Sequence, residues 1–156
     1  MSEGAIRPEL GDFSSIVCLK AIVTGLEDIM GIPAARGNLI LAGRKRGQKI
    51  AQSLSLTKTE KPLDEWSKMV ADAIGENGTK LCKIQNISQN DKTIIVDLSD
   101  TVCSAGEDEG SPRQLTFTLG AIQGAIEEIM DVRLGAKQIG SVLRGQEFDT
   151  IEFTIR

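Results

Sequence analysis

The chain of 156 residues contains no histidine, and this absence restricts the chemistry that it can perform. Histidine is the commonest general base near neutral pH and a frequent metal ligand. Without it, Ser-His-Asp and Cys-His catalysis and the ligation of haem by a proximal histidine are excluded. The remaining Asp, Glu, Lys and Cys residues form no diagnostic arrangement, so we expect a protein that binds something rather than an enzyme.

Few aromatic residues and a negative net charge argue against a nucleic-acid partner. The sequence has no tyrosine, one tryptophan and four phenylalanines, which leaves few platforms on which bases could stack. A net charge of −4 would repel a phosphate backbone rather than attract it. We therefore expect no nucleic-acid partner.

The three cysteines, Cys18, Cys82 and Cys103, are odd in number and widely separated. This pattern fits a reducing compartment better than a disulfide framework. No apolar run approaches the roughly 18 to 20 residues that cross a bilayer, and the first 13 residues lack the basic and apolar regions of a secretory signal. We expect a cytoplasmic protein with no membrane span.

The high-specificity motifs of catalytic and cofactor sites are also missing. The sequence has no GxGxxG, no Walker-type phosphate loop, no CxxC pair and no HExxH. Cys82 and Cys103 fall short of the usual four zinc ligands, and Cys18 lies among apolar neighbours that favour a place in the core. Neither a metal nor a cofactor is expected.

Length and periodicity predict one domain with an α+β fold. Residues 1–13 lack periodicity and are predicted to be a flexible N-terminus, whereas residues 14–156 form the domain. Apolar residues recur at helical spacing in four segments, about 14–30, 34–54, 62–75 and 114–130. Two pairs of strands, about 80–87 with 93–98 and 137–143 with 149–155, predict an antiparallel sheet of two hairpins packed against three to four helices.

An acidic segment, residues 104–112, interrupts this pattern before the fourth helix. It contains Glu107, Asp108, Glu109 and two glycines, a composition that cannot bury enough apolar surface to order itself. We predict a mobile acidic loop whose removal leaves the fold nearly intact.

The second helix carries two interior glycines, Gly43 and Gly47, four residues apart. Each should cost on the order of 1 kcal/mol relative to alanine, so the pair suggests that another backbone or a ligand approaches closely. The alternative is that the helix simply breaks near Gly43. The basic residues of the run 44–49 are predicted to form a solvated face.

The first and fourth helices echo one another at an offset of 100 residues. The identical pairs are Ala21 and Ala121, Ile22 and Ile122, Glu27 and Glu127, Ile29 and Ile129, and Met30 and Met130. A true repeat would place the two helices in equivalent positions around the core. Two amphipathic helices with the same buried face could also converge on this pattern by chance.

Three segments resemble the vinyl-reductase-type small-molecule-binding domain family. The run LAGRKRGQKIA, residues 41–51, is similar to the family's glycine-spaced helix. Residues 120–130 resemble its long helix, and Gly145 with residues 151–155 resembles its closing hairpin. The resemblance implies binding of hydrocarbon-like or tetrapyrrole-related molecules, or sensing of aromatic compounds for regulators.

The same resemblance argues against a metal in this chain. The family's last hairpin carries an acidic residue and cysteines proposed to hold metal, whereas the comparable stretch here offers Gln138, Ser141, Asp149 and Ile151. No cysteine lies after Cys103. A reductase-like role loses support for the same reason.

The first of two functional hypotheses is a non-catalytic binding or sensory domain for an apolar small molecule. Its cavity would lie between the two echoing helices and the sheet, where apolar burial would supply most of the affinity. The candidate walls of this cavity are Ile22, Leu26, Met30, Ile122, Ile126 and Met130. Ordinary core packing is the alternative role for each of them.

The second hypothesis is a ligand-free interaction or scaffold protein that forms a homodimer or docks on another protein. Gly43 and Gly47 would then mark a helix contact between chains, and the basic run 44–49 would meet an acidic partner.

Overall fold

Four helices and a four-stranded antiparallel sheet form one α+β domain, as predicted from the sequence. The computed structural model describes residues 7–156, so the first six residues of the predicted N-terminal segment lie outside the described residues. The helices are α1 (Ile16–Met30), α2 (Ile32–Ser53), α3 (Leu63–Ile74) and α4 (Phe117–Met130). The strands are β1 (Lys83–Asn90), β2 (Thr93–Ser99), β3 (Leu134–Gly140) and β4 (Asp149–Ile155), with a short 3-10 helix at Val142–Arg144.

The sheet has the order β1-β2-β4-β3, so the two hairpins join through β2 and β4. Alternation decides which side chains are inside: Ile94, Val96 and Leu98 of β2 are buried, and Ile151 and Phe153 of β4 lie opposite them. This period-two pattern gives the sheet one apolar face. The third helix and α4 pack on that face in the main hydrophobic core.

The predicted boundaries of three elements were wrong. The first strand runs over Lys83–Asn90 rather than 80–87, because the hairpin turns on Asp91 and Lys92 alone. Aspartate tolerates the left-handed φ of 52° that Asp91 adopts. The third strand begins at Leu134 rather than 137, and α4 begins at Phe117 rather than 114.

The tightest packing in the fold is the crossing of α2 and α4. A Cβ placed on Gly43 would overlap the carbonyl oxygen of Phe117, and one on Gly47 would overlap that of Ala121. The relation is reciprocal, because a Cβ on Gly120 or Gly124 would overlap a carbonyl oxygen of α2. The two backbones therefore touch within one chain, and α2 continues unbroken through Gly43.

An ion pair closes this crossing at its side. Arg44 donates from Nε and Nη2 to Glu127 Oε2, at 3.1 and 2.7 Å, and Glu127 Oε1 accepts a hydrogen bond from the backbone N–H of Leu134 at 2.9 Å. The prediction that Arg44 belongs to a solvated basic face was wrong, because its side chain binds Glu127 on α4 of the same chain. Lys45, Arg46 and Lys49 are exposed as predicted.

The first helix lies outside the main core. Only Val23 and Glu27 are buried along its length, and Val23 packs with Ala35 and Leu39 of α2 in a small separate cluster. The fourth helix, by contrast, is buried on nearly all sides. Ile22 and Ile29 of α1 are 57% and 84% exposed, whereas the echoing Ile122 and Ile129 are each 1% exposed. The echoing helices therefore occupy unlike positions in the chain.

Charged groups tie α1 to the acidic segment 104–112. Lys20 Nζ lies 2.7 Å from Glu107 Oε1 and donates to the carbonyl of Cys103 at 2.8 Å. Arg113 lies between two carboxylates: its Nε is 3.1 Å from Glu107 Oε1, and its Nη1 is 2.8 Å from Glu27 Oε2. The contact with Glu27 lacks hydrogen-bond geometry. Burial raises the pKa of Glu27, while the hydrogen bond from Lys20 lowers the pKa of Glu107. The acidic segment thus contributes to the docking of α1, which its composition did not indicate.

None of the helices within residues 7–156 is long and apolar enough to cross a bilayer.

Two glycines of α2 give a matched test of the helix crossing. Gly43→Ala should destabilise the protein by about 1 to 3 kcal/mol, because the added carbon meets backbone that cannot rotate away. Gly37→Ala, on the same helix with no atom within 4 Å of the new carbon, should instead stabilise it by up to about 1 kcal/mol. Urea unfolding measures both values, and equal effects would contradict the crossing.

Glu107→Gln should lower the free energy of unfolding at pH 7 by about 1 kcal/mol, because the variant loses two cationic partners. The pKa of Glu107 is lowered in the folded state, so its contribution is present above the ordinary glutamate pKa of about 4.3. The difference from the wild type should shrink as the pH falls through and below that value. Urea titrations at several pH values measure it, and a difference independent of pH would contradict the ionic role of Glu107.

Candidate functional site

A cleft of about 950 Å³ opens beside the end of the sheet, in the size range of small-molecule sites. Four parts of the chain surround it: the start of α1, the turn after α3, the segment that follows β2, and the loop between β3 and β4. Its apolar surface includes Phe13, Ile16, Ala105 and Val142. The polar groups that line it are Ser14, Glu76, Asn77, Thr79, Lys80, Ser99, Asp100, Thr101, Ser104 and Asp149.

Asp149 organises the floor of this cleft. Its Oδ2 accepts hydrogen bonds from Thr101 Oγ1 and Ser104 Oγ, both at 2.7 Å, and its Oδ1 accepts one from the backbone N–H of Val142 at 3.0 Å. The carboxylate therefore joins the segment after β2 to the 3-10 helix. Because both hydroxyl groups donate their protons to Asp149, they can only accept hydrogen bonds from a ligand.

Asp149 differs from the other buried carboxylates in its partners. It is 1% exposed, yet within residues 7–156 no lysine or arginine forms an ion pair with it. Glu27 and Glu127, which are 4% and 6% exposed, each face an arginine. Buried charges are ordinarily paired. The carboxylate of Asp149 could therefore still interact with a cation, whereas those of Glu27 and Glu127 already do so.

Two buried thiols lie next to this floor. Cys103 Sγ accepts a hydrogen bond from the N–H of Thr116 at 3.4 Å, and burial, with the nearby Cys103 and Asp149, raises the pKa of the Cys82 thiol to about 12. A thiol with that pKa is protonated at neutral pH and is a poor nucleophile and metal ligand. Cys18 is exposed on α1, so its predicted place in the core was wrong.

The structure does not gather the six predicted wall residues around one cavity. Ile22 is 57% exposed and Met30 is 42% exposed on α1, and Leu26 packs in the small cluster between α1 and α2. Ile122 and Ile126 are fully packed in the main core, with Met130 partly buried against it. None of the six lines the cleft. Their role as ligand walls stays a prediction without a cavity between them.

Gly43 and Gly47 likewise lie away from the cleft, and their close neighbour is α4 of the same chain. A second chain cannot reach a face that is already covered in this way. The interaction hypothesis therefore needs another surface.

The stretch that resembles the family's metal-binding hairpin is occupied by internal hydrogen bonds. Gln138 accepts from the N–H of Leu115 at 2.8 Å and donates to the carbonyl of Gly140 at 2.9 Å. The Ser141 hydroxyl accepts from the N–H of Leu143 at 3.2 Å, and Ile151 is buried in the core. In residues 7–156 no three Cys, Asp or Glu side chains are grouped so that they could hold a metal ion.

Sequence reasoning missed most of the cleft. Thr101 and Ser104 lie 48 and 45 residues from Asp149, and neither belongs to a motif or to a regular hydrophobic pattern. Asp149 was singled out only as a position of the resembling hairpin. Its alternation with the buried Ile151 and Phe153 was the one available signal that this carboxylate faces inward.

Comparisons with known proteins identify the fold. No protein-family model and no curated protein matches the chain. It is similar to the phenol-responsive sensory domain of the transcription activator PoxR with phenol, at a TM-score of 0.70 and 14% identity over 92% of this chain and 76% of that one. It is also similar to trafficking protein particle complex subunit 3 from Naegleria fowleri covalently bound to palmitic acid, at a TM-score of 0.53 and 14% identity over 91% and 97% of the two chains. At these identities the likeness is one of fold.

Proposed function

We propose that this chain is a non-catalytic sensory domain that binds an apolar small molecule in the cleft above Asp149. The observation that carries the proposal is the cleft itself, which combines apolar surface with hydroxyl groups that converge on Asp149. The shared fold with a phenol-responsive sensory domain supports the same function.

The shape of the cleft favours a ligand with an apolar body and one polar end. Phe13, Ile16 and Val142 provide contacts for the body, and the hydroxyl groups over Asp149 meet the polar end. The volume accommodates a single aromatic ring and leaves room for larger hydrocarbon or tetrapyrrole-like compounds.

The absence of catalysis is part of the proposal. The chain has no histidine, and the Cys82 thiol near the cleft is held protonated by burial. Asp149 has three hydrogen bonds that fix it in place, which suits a structural and binding role better than proton transfer.

Filling the cleft should abolish binding without unfolding the protein. Ala105 is exposed at the wall, so Ala105→Trp should occupy the space of the ligand and reduce the amount retained by at least about tenfold. Native mass spectrometry of protein purified from its own source measures the retained molecule. Ala136→Trp, an exposed position on β3 outside the cleft, is the matched control. Retention by the Ala105 variant equal to that of the control would refute the site.

A homodimer is a second element of the proposal, and it rests on α1. Cys18, Ile22, Gly25 and Ile29 are spaced by four, three and four residues and lie on one outward face of this helix. A Cβ on Gly25 would meet no atom within 4 Å, so this face is open. Ile122 and Ile129, the counterparts of Ile22 and Ile29 in α4, are buried in the core, which supports burial of the α1 stripe against a second copy. This open stripe replaces Gly43 and Gly47 as the contact between chains.

Ile29→Glu should convert the dimer to a monomer, because it places a charge within an apolar contact. Ile139→Glu is the matched control, since Ile139 is also a partly exposed isoleucine but lies on β3. Sedimentation velocity at several protein concentrations measures the assembly. A wild-type chain that remains monomeric, or an Ile29 variant that still dimerises, would contradict the proposed contact.

A further inference from the structure

We infer that the cleft selects ligands whose polar end donates hydrogen bonds. It prefers a cationic amine to a neutral hydroxyl group, and it rejects carboxylates. This inference rests on the proposed function, because it names the chemical class of the ligand in the same cleft. It depends on how Asp149 orients and charges the floor.

The hydrogen bonds of the floor have a fixed direction. The hydroxyls of Thr101 and Ser104 both point their protons at Asp149 Oδ2, at 2.7 Å. Thr101 Oγ1 also accepts from the N–H of Ser104 at 3.3 Å, which leaves one lone pair on Thr101 and two on Ser104. A ligand that reaches these oxygens must supply the proton. A carboxylate has none to give at neutral pH.

Asp149 is buried without a cationic partner among residues 7–156. Desolvating a carboxylate is costly unless positive charge lies near it, and the two buried glutamates meet this requirement with Arg113 and Arg44. For Asp149 the described residues supply two hydroxyls and one backbone N–H. An ammonium group bound on the hydroxyls would provide the missing positive charge within the cleft.

The walls of the cleft carry more negative than positive groups. Three carboxylates line the cleft, those of Glu76, Asp100 and Asp149, against one ammonium group, that of Lys80. The resulting field attracts a cation and repels an anion, and the low-dielectric walls of a cleft strengthen both effects. Carboxylates thus outnumber ammonium groups three to one in the lining of the cleft.

Three probes of the same shape test the inference: benzylamine, which is an ammonium ion at pH 7, benzyl alcohol and benzoate. Isothermal titration calorimetry on the full chain should give affinities in that order, with steps of about tenfold, because a hydrogen bond to a charged group exceeds a neutral one by about 1 kcal/mol or more. Added salt should weaken benzylamine more than benzyl alcohol.

Two variants locate the effect. If the Asp149→Asn variant keeps the wild-type melting temperature, its affinity for benzylamine should fall to its affinity for benzyl alcohol. Because Asp149 also anchors a loop, Ser104→Ala is the second variant: it leaves the bonds of Asp149 to Thr101 and Val142, and should weaken both donor probes about tenfold. Ser88→Ala, exposed on β1, is the control and should bind like the wild type.

The outcomes separate this inference from the proposed function. Benzoate binding as tightly as benzylamine would overturn the ligand class while leaving a small-molecule site in the cleft. Binding of none of the three probes, with retention of no molecule in the native protein, would overturn the proposed function and the inference with it.

Discussion

The direct contact between the backbones of α2 and α4 is the constraint on which the rest of the structure depends. Four glycines, Gly43 and Gly47 on one helix and Gly120 and Gly124 on the other, remove the side chains that would keep the two helices apart. With α2 against one side of it and the sheet against the other, α4 is enclosed almost completely. The first helix, which a single residue, Gly31, links to α2 in the chain, lies at the periphery of the domain.

The buried carboxylates of residues 7–156 differ in their partners: Glu27 and Glu127 form ion pairs, whereas Asp149 has no cationic partner. Glu127 fastens the helix crossing to β3 through Arg44 and Leu134, and Glu27 fastens α1 to the acidic segment through Arg113. Both ion pairs connect elements far apart in sequence, so their loss would loosen the packing of whole helices. Asp149 also connects two segments, but it does so with neutral donors. Its charge is therefore the one that a bound molecule can still use.

Most of the fold could be predicted from the sequence because it follows from local periodicity. The helical spacing of apolar residues is visible within each of the segments that form α1 and α4. The alternation of Ile151, Phe153 and Ile155 is visible within β4. Gly43 and Gly47 also indicated a close approach, although the partner, α4, was not visible. Periodicity identifies an apolar face but does not identify what covers it. For that reason the exposed Ile22 and the buried Ile122, which occupy matching positions of the two echoing helices, could not be told apart.

The cleft could not be predicted for a related reason. Its floor is made by Thr101, Ser104 and Asp149, which come together only after β2 and β4 have paired, and hydroxyl groups of this kind carry no periodic signal. The first helix contributes to two surfaces: Ile16 lines the cleft, while Ile22 and Ile29 face outward. Lys20, between them in sequence, bonds to the carbonyl of Cys103, one residue before Ser104 of the floor. A molecule bound in the proposed site would therefore contact the helix that carries the stripe proposed for dimerisation. Its effect on dimerisation would equal the difference between its binding free energies for the free and the dimeric forms, and dimerisation would change its affinity by the same factor.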